Sequence, residues 1–297
     1  MHLNIFNFGS LNIDYIYQVD EFVRAGETIS SLGVEAYPGG KGLNQSVAIR
    51  KGGGKVYHVG SVGEDGSRLL RELVKAGVDV SCTKKSAVGT GHAIIQVNHC
   101  GQNCIIIAHG ANYDISVEDV EAALAQAQPG DVALMQNEVN QIPEIMRRAK
   151  VKQLKLVFNP SPITPELADY PLELVDTFIL NEIEGGFLTD RNETEEILEE
   201  LQHRYPEAEF ILTLGEEGCV YRKQDVNYVI PARKVQAIDT TGAGDTFCGY
   251  YLASIARNFN VEDSLKRATA AASIAVTRTG ASTSVPASEE VDHLLLS

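Results

Sequence analysis

Along this chain, short apolar runs alternate with longer stretches of helical periodicity, and that alternation leaves few folds open. Residues 3–9, 55–60, 132–136, 154–158, 174–180 and 210–214 read as strands. Helical patterns fall at 65–76, 116–126, 142–150, 193–204, 244–257 and 261–278. Leu69, Leu70, Leu73 and Val74 form one such apolar stripe, and Ser116 stands where a helix cap belongs. Strands and helices in this order predict an α/β core around a mainly parallel sheet. A length of 297 residues fits one large domain, and 44% apolar residues can bury a sizeable core. Segments near 12–20, 33–39 and 91–109 break the alternation, with 92–98 and 103–108 reading as a hairpin. They predict a separate small sheet lying over the site as a lid.

In open α/β sheets, ligands bind beyond the carboxyl ends of the strands. Candidate polar groups fall at those ends: Glu138, then Asn181 and Glu184, then Thr213 and Gly215. The densest motif is Asp239-Thr240-Thr241-Gly242-Ala243-Gly244-Asp245-Thr246-Phe247, between an apolar run and a long helical pattern. Its small residues let backbone N–H groups face a cavity, and at the first turn of a helix those groups attract an anion. Asp245 repels an anion, which suits it to take a proton from a hydroxyl attacking phosphorus. The same residues also read as a turn followed by an ordinary helix N-terminal acid. Gly39, Gly40 and Gly42 feed a second helix and permit close approach to a small ligand. Lys41 and Asn44 could bond its hydroxyls, or Lys41 could simply lie in water. The loop is not a Walker A motif, because Gly-x-x-x-x-Gly-Lys-Ser/Thr is absent. Asn12 and Asp14 fall on one side of a period-two strand, as a solvated edge or as acceptors for a polyol.

The formal net charge of −15 argues against nucleic-acid or anionic-membrane partners. It leaves an anionic substrate to be held by local groups. No apolar run reaches the ~18–20 residues of a membrane span. The N-terminus, Met1-His2-Leu3-Asn4-Ile5-Phe6-Asn7-Phe8, lacks a basic region and a cleavage site. Cys82, Cys100, Cys104, Cys219 and Cys248 are scattered, which predicts reduced thiols and a cytoplasmic protein. Cys100 and Cys104, with His99 and His109 nearby, read as lying on two short strands joined by Gly101-Gln102-Asn103, with a metal site as the alternative.

With these residues laid out, the chain resembles the ribokinase-like (PfkB) family of sugar kinases over nearly its whole length. Gly39-Gly40-Lys41-Gly42-Leu43-Asn44-Gln45 is similar to that family's first signature, and the segment 239–247 to its second. Asn181-Glu182-Ile183-Glu184, between them, fits the family's Asn-x-x-Glu. Gly9-Ser10-Leu11-Asn12-Ile13-Asp14, His109-Gly110-Ala111-Asn112 and Asn159-Pro160-Ser161-Pro162 resemble its ribokinase branch.

The resemblance implies a three-layer α/β/α core with a small β-sheet lid, as a single kinase domain over 1–297. It implies transfer of the ATP γ-phosphoryl group to the terminal (5-) hydroxyl of a pentose, D-ribose first. Asp245 would be the general base, and the backbone of Gly242, Ala243 and Gly244 the anion hole. Asn12, Asp14, Gly40, Lys41, Asn44 and Glu138 would hold sugar hydroxyls. Asn181, Thr213, Gly215, Gly244 and Thr269 would contact the nucleotide. Asn181 and Glu184 would organise Mg²⁺ and phosphate, Glu184 through water. A monovalent cation, K⁺ by expectation, would order the anion-hole loop through Asp239, Thr241, Ala275, Arg278, Gly280 and Ser284, mostly by backbone carbonyls.

Departures from the family pattern bear on sugar identity: the glycine-rich Lys51-Gly52-Gly53-Gly54-Lys55, Cys248 in place of an asparagine, and His92, His99 and Cys100 in the lid. The alternatives are a kinase of the same fold for deoxyribose, a ketohexose or a nucleoside, and a catalytically silent sugar-binding protein. The intact Asp245 and glycine loop argue against the last. A lid sheet with an exposed apolar face predicts a homodimer through the lid.

Overall fold

The computed structural model describes residues 3–296, so Met1 and His2 of the N-terminal reading lie outside the described residues. The first half of the chain holds β1 (Asn4–Phe8), β2 (Asn12–Gln18), β3 (Gly33–Gly39), α1 (Lys41–Lys51), β4 (Lys55–Val62), α2 (Ser67–Ala76) and β5 (Thr83–Lys85). Next come β6 (Gly91–Val97), β7 (Asn103–Ala108), α3 (Val117–Leu124), β8 (Val132–Gln136), α4 (Ile142–Val151) and β9 (Lys155–Asn159). The rest is β10 (Thr177–Asn181), α5 (Glu182–Thr189), α6 (Thr194–Arg204), β11 (Glu209–Thr213), β12 (Gly218–Lys223), β13 (Val226–Pro231), α7 (Ala243–Ala256), α8 (Val261–Ala275) and α9 (Ser288–Leu296).

Nine strands form the central sheet in the order β13-β12-β11-β10-β9-β8-β1-β4-β5. All neighbours are parallel except β11–β12 and β12–β13. Side chains alternate between two cores, as strand geometry requires. Ile5, Leu134, Val157 and Ile179 pack on the face covered by α1, α7 and α8, while Phe6, Phe8, Met135, Phe158 and Phe178 pack under α4 and α6. Burying each of these side chains contributes roughly 1.5–3 kcal/mol. The result is the three-layer α/β/α core. No helix among the described residues is long and apolar enough to cross a membrane.

The second sheet has the order β3-β2-β6-β7. Its registers place Asn12 opposite Gly39 and Gly91, and Asp14 opposite Tyr37 and Ala93. Cys104 lies on β7, but Cys100 sits in the turn before it and not on a strand.

α7 is buried nearly all round and packs between α1 and α8. Glycines permit this approach. A Cβ on Gly249 would overlap Ala48 of α1, and one on Gly52 would come within 2.8 Å of the Ala253 methyl. The glycine-rich turn at 51–55 is therefore where α7 passes the end of α1, which is a packing reason unrelated to the sugar.

Three elements escape the periodicity reading. β5 is three polar residues, α5 carries two glycines, and α9 is a short terminal helix. Two boundaries also differ. The strand read at 174–180 begins only at Thr177, because Leu172–Leu174 is a 3₁₀ turn. The helix read to residue 278 stops at Ala275, and the next carbonyl, that of Val276, accepts the N–H groups of Ile238 and Asp239 at 2.7 and 3.1 Å.

Candidate active site

α1 starts immediately after the lid strand β3, and its first turn is pressed against the bend between β1 and β2. A Cβ on Gly42 would overlap the backbone of Gly9 and Ser10. Gly40, at φ 92°, holds the entry and stands 3.0 Å from the Ser10 carbonyl at its Cβ position. This packing delivers Lys41, Asn44 and Gln45 to the carboxyl ends of the central strands. The Lys41 N–H donates to Glu138 Oε2 at 3.0 Å, and the Ser10 hydroxyl donates to the same oxygen. Asn12 accepts from Asn112 Nδ2 at 2.7 Å, and Asn112 Oδ1 accepts the Leu11 N–H at 2.9 Å.

Asp14 is folded over Gly39, where any Cβ would overlap its carboxylate. Burial, reinforced by the charge of Glu138, pushes the Asp14 pKa up to about 7. Burial likewise raises the pKa of Glu138, with Lys41 and Ser10 pulling the other way. Burial acts against the Lys41 ammonium, but Asp245 and Glu138 outweigh it and hold its pKa above the ordinary lysine value.

Asp245 is the third residue of α7 and is only 6% exposed. Both oxygens are held: one accepts from Asn44 Nδ2 at 3.0 Å, the other from Gln45 Nε2 at 2.9 Å. Lys41 Nζ lies 4.0 Å away. A buried carboxylate with two neutral donors and one nearby ammonium stays available as a proton acceptor.

The helix cap, Gly242, has φ 74° and no side-chain capping bond. The Ala243 N–H donates to the Thr240 carbonyl at 3.2 Å, a long turn bond. Ala243 and Gly244 line one wall of a cavity of about 850 Å³, with Thr213, Gly215 and Thr269 along it. Arg233 and Lys234 also line it and supply local positive charge in an otherwise acidic chain. Asn181 is not on this wall. It caps α5, where its Oδ1 accepts the Glu184 N–H at 2.9 Å and its N–H donates to Glu184 at 3.0 Å. Glu184 also accepts from Asn159 Nδ2 at 3.4 Å.

Beside the cap, Asp239 accepts the N–H groups of Thr241 and Gly280, each at 2.9 Å. One carboxylate thus ties the anion-hole loop to the loop after α8. The Arg278 side chain pairs with Glu290, which leaves only its backbone for this region. Ser284 Oγ donates to the Ala281 carbonyl at 2.8 Å. No group of three or more His, Cys, Asp or Glu side chains able to hold a metal forms among the described residues.

A profile of pfkB family carbohydrate kinases matches residues 3–288. The chain belongs to the pfkB family of carbohydrate kinases. It is 32% identical to the ribokinase of Bacillus subtilis over 98% of this chain and 99% of that one. It is 29% identical to the deoxyribokinase of Salmonella typhi, covering 99% of each. The structure of Arabidopsis thaliana ribokinase complexed with ribose and ATP superposes with a TM-score of 0.87, at 29% identity, over 99% of each chain. As a member of this family, the chain is an ATP-dependent carbohydrate kinase.

The pfkB frame brings Asn12, Asp14, Gly40, Lys41, Asn44, Glu138 and Asp245 into one neighbourhood, and Thr213, Gly215, Gly244 and Thr269 into the adjoining cavity. Four members of the polar neighbourhood were not singled out from the sequence: Ser10, Gln45, Asn112 and Asn159. Gln45 and Asn159 each carried a signal, as polar residues closing an otherwise glycine-rich or apolar run.

Proposed function

We propose that this chain transfers the γ-phosphoryl group of ATP to the 5-hydroxyl of D-ribose. The observation that carries this reading is the position of Asp245. The same helix turn that presents its carboxylate to Lys41 and Asn44 presents Ala243 and Gly244 to the neighbouring cavity. Asn12, Asp14, Gly40, Lys41, Asn44 and Glu138 hold the sugar hydroxyls. Carboxylates that accept from two hydroxyls make charge-assisted pairs suited to an open polyol. Asp245 takes the proton of the 5-hydroxyl as its oxygen attacks. The N–H groups of Gly242 and Gly244 face the charge that develops on the transferred group, joined by Ala243 once it exchanges its turn bond. Thr213, Gly215 and Thr269 run along the nucleotide, with Asn181 nearer the phosphates.

Glu184 fits a water-mediated hold on Mg²⁺, because its oxygens already accept from Asn181 and Asn159. Mg²⁺ supplies neutralisation of the phosphate charge there. The Asp239 tie between the loops at 241 and 280 fits a K⁺ site completed by carbonyls of Ala275, Arg278 and Gly280, with Ser284 alongside.

Ribose is supported by the ribokinase relatives, and deoxyribose is the second reading because a deoxyribokinase is also a relative. ADP release with ATP, Mg²⁺ and K⁺ across ribose, deoxyribose, fructose and adenosine decides. The expected result is a ribose-dependent rate at least about tenfold above the others, which corresponds to about 1.4 kcal/mol of discrimination. A larger deoxyribose rate overturns the ribose assignment, and no turnover with any of them favours a silent sugar binder.

Asp14 gives this reading a pH signature. Its carboxyl titrates near 7 in the free protein, and sugar hydroxyls donate only to the ionised form. Ribose affinity should therefore rise with pH below about 7 and level off above it, approaching tenfold per unit on the acid side. Calorimetric titration from about pH 5 to 8 checks this. Asp14→Asn should bind weakly with no slope in that window.

A homodimer through the lid is supported by β7, an edge strand on which Ile105, Ile106 and Ile107 are all exposed. Light scattering at micromolar concentration tests it, and a monomer counts against it.

A further inference from the structure

The carboxyl ends of the central strands carry a row of amides on the face that meets α1 and α7. Asn7 of β1, Gln136 of β8 and Asn159 of β9 each follow, two residues on, an apolar side chain of that core: Ile5, Leu134 and Val157. Gln136 and Asn159 are register partners. Gln45 of α1 descends onto this row, fully buried, and every bond its amide can make is used. Its Nε2 donates to Asp245 Oδ1 at 2.9 Å and to Asn159 Oδ1 at 3.0 Å. Its Oε1 accepts from Gln136 Nε2 at 2.7 Å and from the Cys248 thiol at 3.6 Å.

The chain continues on both sides. Gln136 gives its second hydrogen to Asn7 Oδ1 at 2.9 Å. Asn7 Nδ2 donates to the Gly42 carbonyl and to Ser46 Oγ, each at 2.8 Å, and Ser46 Oγ lies 2.9 Å from His58 Nδ1. In the other direction Asn159 Nδ2 donates to the Ile179 carbonyl at 3.0 Å and to Glu184 at 3.4 Å.

We propose that Gln45 is a positioning residue for phosphoryl transfer: anchored by the strand-end amides, it fixes the plane of the Asp245 carboxylate and, through Asn159, ties the base to the Glu184 side of the site. The proposal rests on the reading of Asp245 as the base. Consecutive residues of α1, Asn44 and Gln45, grip the two oxygens of one carboxylate, so the carboxylate cannot turn without losing a buried bond. A flipped Gln45 amide would set its carbonyl against that carboxylate and its NH₂ against the NH₂ of Gln136, so the network locks it. Neutral amides donate to the carboxylate but do not take its proton. The hydroxyl proton therefore stays on Asp245 and does not drain into the network. In a buried network such bonds reinforce one another, and a misplacement of about 1 Å at a base can cost about 100-fold in rate.

The charged and titratable groups facing Asp245 are Lys41 on α1, Glu138 after β8, Glu184 on α5 and Cys248 one turn on in α7. Two variants of matched size test Gln45 against that background. Gln45→Glu replaces a donor by a repelling acceptor, and Gln45→Met removes the donors. Both should lower kcat by about 100-fold and leave the sugar KM within about threefold. The acidic limb of the kcat–pH profile should move to higher pH, further in Gln45→Glu. Variants with a lowered Tm but wild-type kcat and an unmoved limb overturn the proposal. Failure of both variants to fold also overturns it, since Gln45 would then be structural. Asp245→Asn run alongside separates the two readings. If it keeps turnover, the base assignment fails and the proposal falls with it. If it is inactive while the Gln45 variants match wild type, the positioning role alone fails.

Discussion

Asp245→Asn is expected to lower kcat by about 10³-fold or more while leaving ribose affinity within about threefold. The argument is geometric. Asparagine occupies the same space in α7, so the helix, the glycine cap and the cavity wall stay in place. What changes is the capacity to accept a proton in the transition state, which an amide lacks. A modest loss of stability should accompany the change. Asn44 and Gln45 present donors to both oxygens of Asp245, and an asparagine NH₂ would meet one of those donors head-on. Such an uncompensated buried contact costs about 1–3 kcal/mol, far less than the catalytic loss it accompanies. Initial rates of ADP release give kcat, and calorimetry with ribose alone gives the affinity. Turnover within tenfold of wild type would sink the base assignment. Loss of ribose binding together with turnover would instead mean that Asp245 mainly shapes the sugar pocket, with Lys41 left without its partner.

Much of this arrangement can be read in the sequence, for identifiable reasons. The parallel core follows from runs such as 132–136 and 154–158, because a strand buried on both faces must be continuously apolar. The lid segments show themselves by failing to alternate with helices. The motifs at 39–45 and 239–247 are legible because backbone conformation there demands glycine, as the φ of 92° at Gly40 and 74° at Gly242 show. Gln45, Asn7, Gln136 and Asn159 are harder. Each is a lone amide in an apolar or glycine-rich context, and its meaning depends on partners more than ninety residues away in most cases. No local pattern encodes that distance. The glycines at 52–54 misled for the opposite reason. They look like a loop bearing on the sugar, but Gly52 and Gly54 admit the Ala253 segment of α7. α5 was hidden because Gly185 and Gly186 lower its propensity, and the Asn181–Glu184 capping box compensates.

Gly242→Ala should produce the second large loss, about 100-fold or more in kcat with ribose affinity unchanged. Two effects combine. At φ 74° an L side chain costs roughly 1–2 kcal/mol. The added methyl would also stand 2.9 Å from the Ala281 Cβ and 3.0 Å from its Cα, too close for either to remain. The loop carrying Ala281 cannot simply retreat, because Asp239 ties Gly280 to Thr241 on the near side. The strain therefore passes to the anion-hole turn, and its N–H groups leave the line of the transferred group. One misdirected donor in such a hole costs about 10²–10³ in kcat. Because the sugar-holding residues lie on α1, β2 and the end of β8, they should not register the change. A second substitution tests the cause: Ala281→Gly in the Gly242→Ala background removes the overlapping methyl and should recover at least about tenfold. If the double variant is no better than the single one, crowding against Ala281 is not the source of the loss. If Gly242→Ala itself turns over normally, the glycine turn does not act on the phosphoryl group at all.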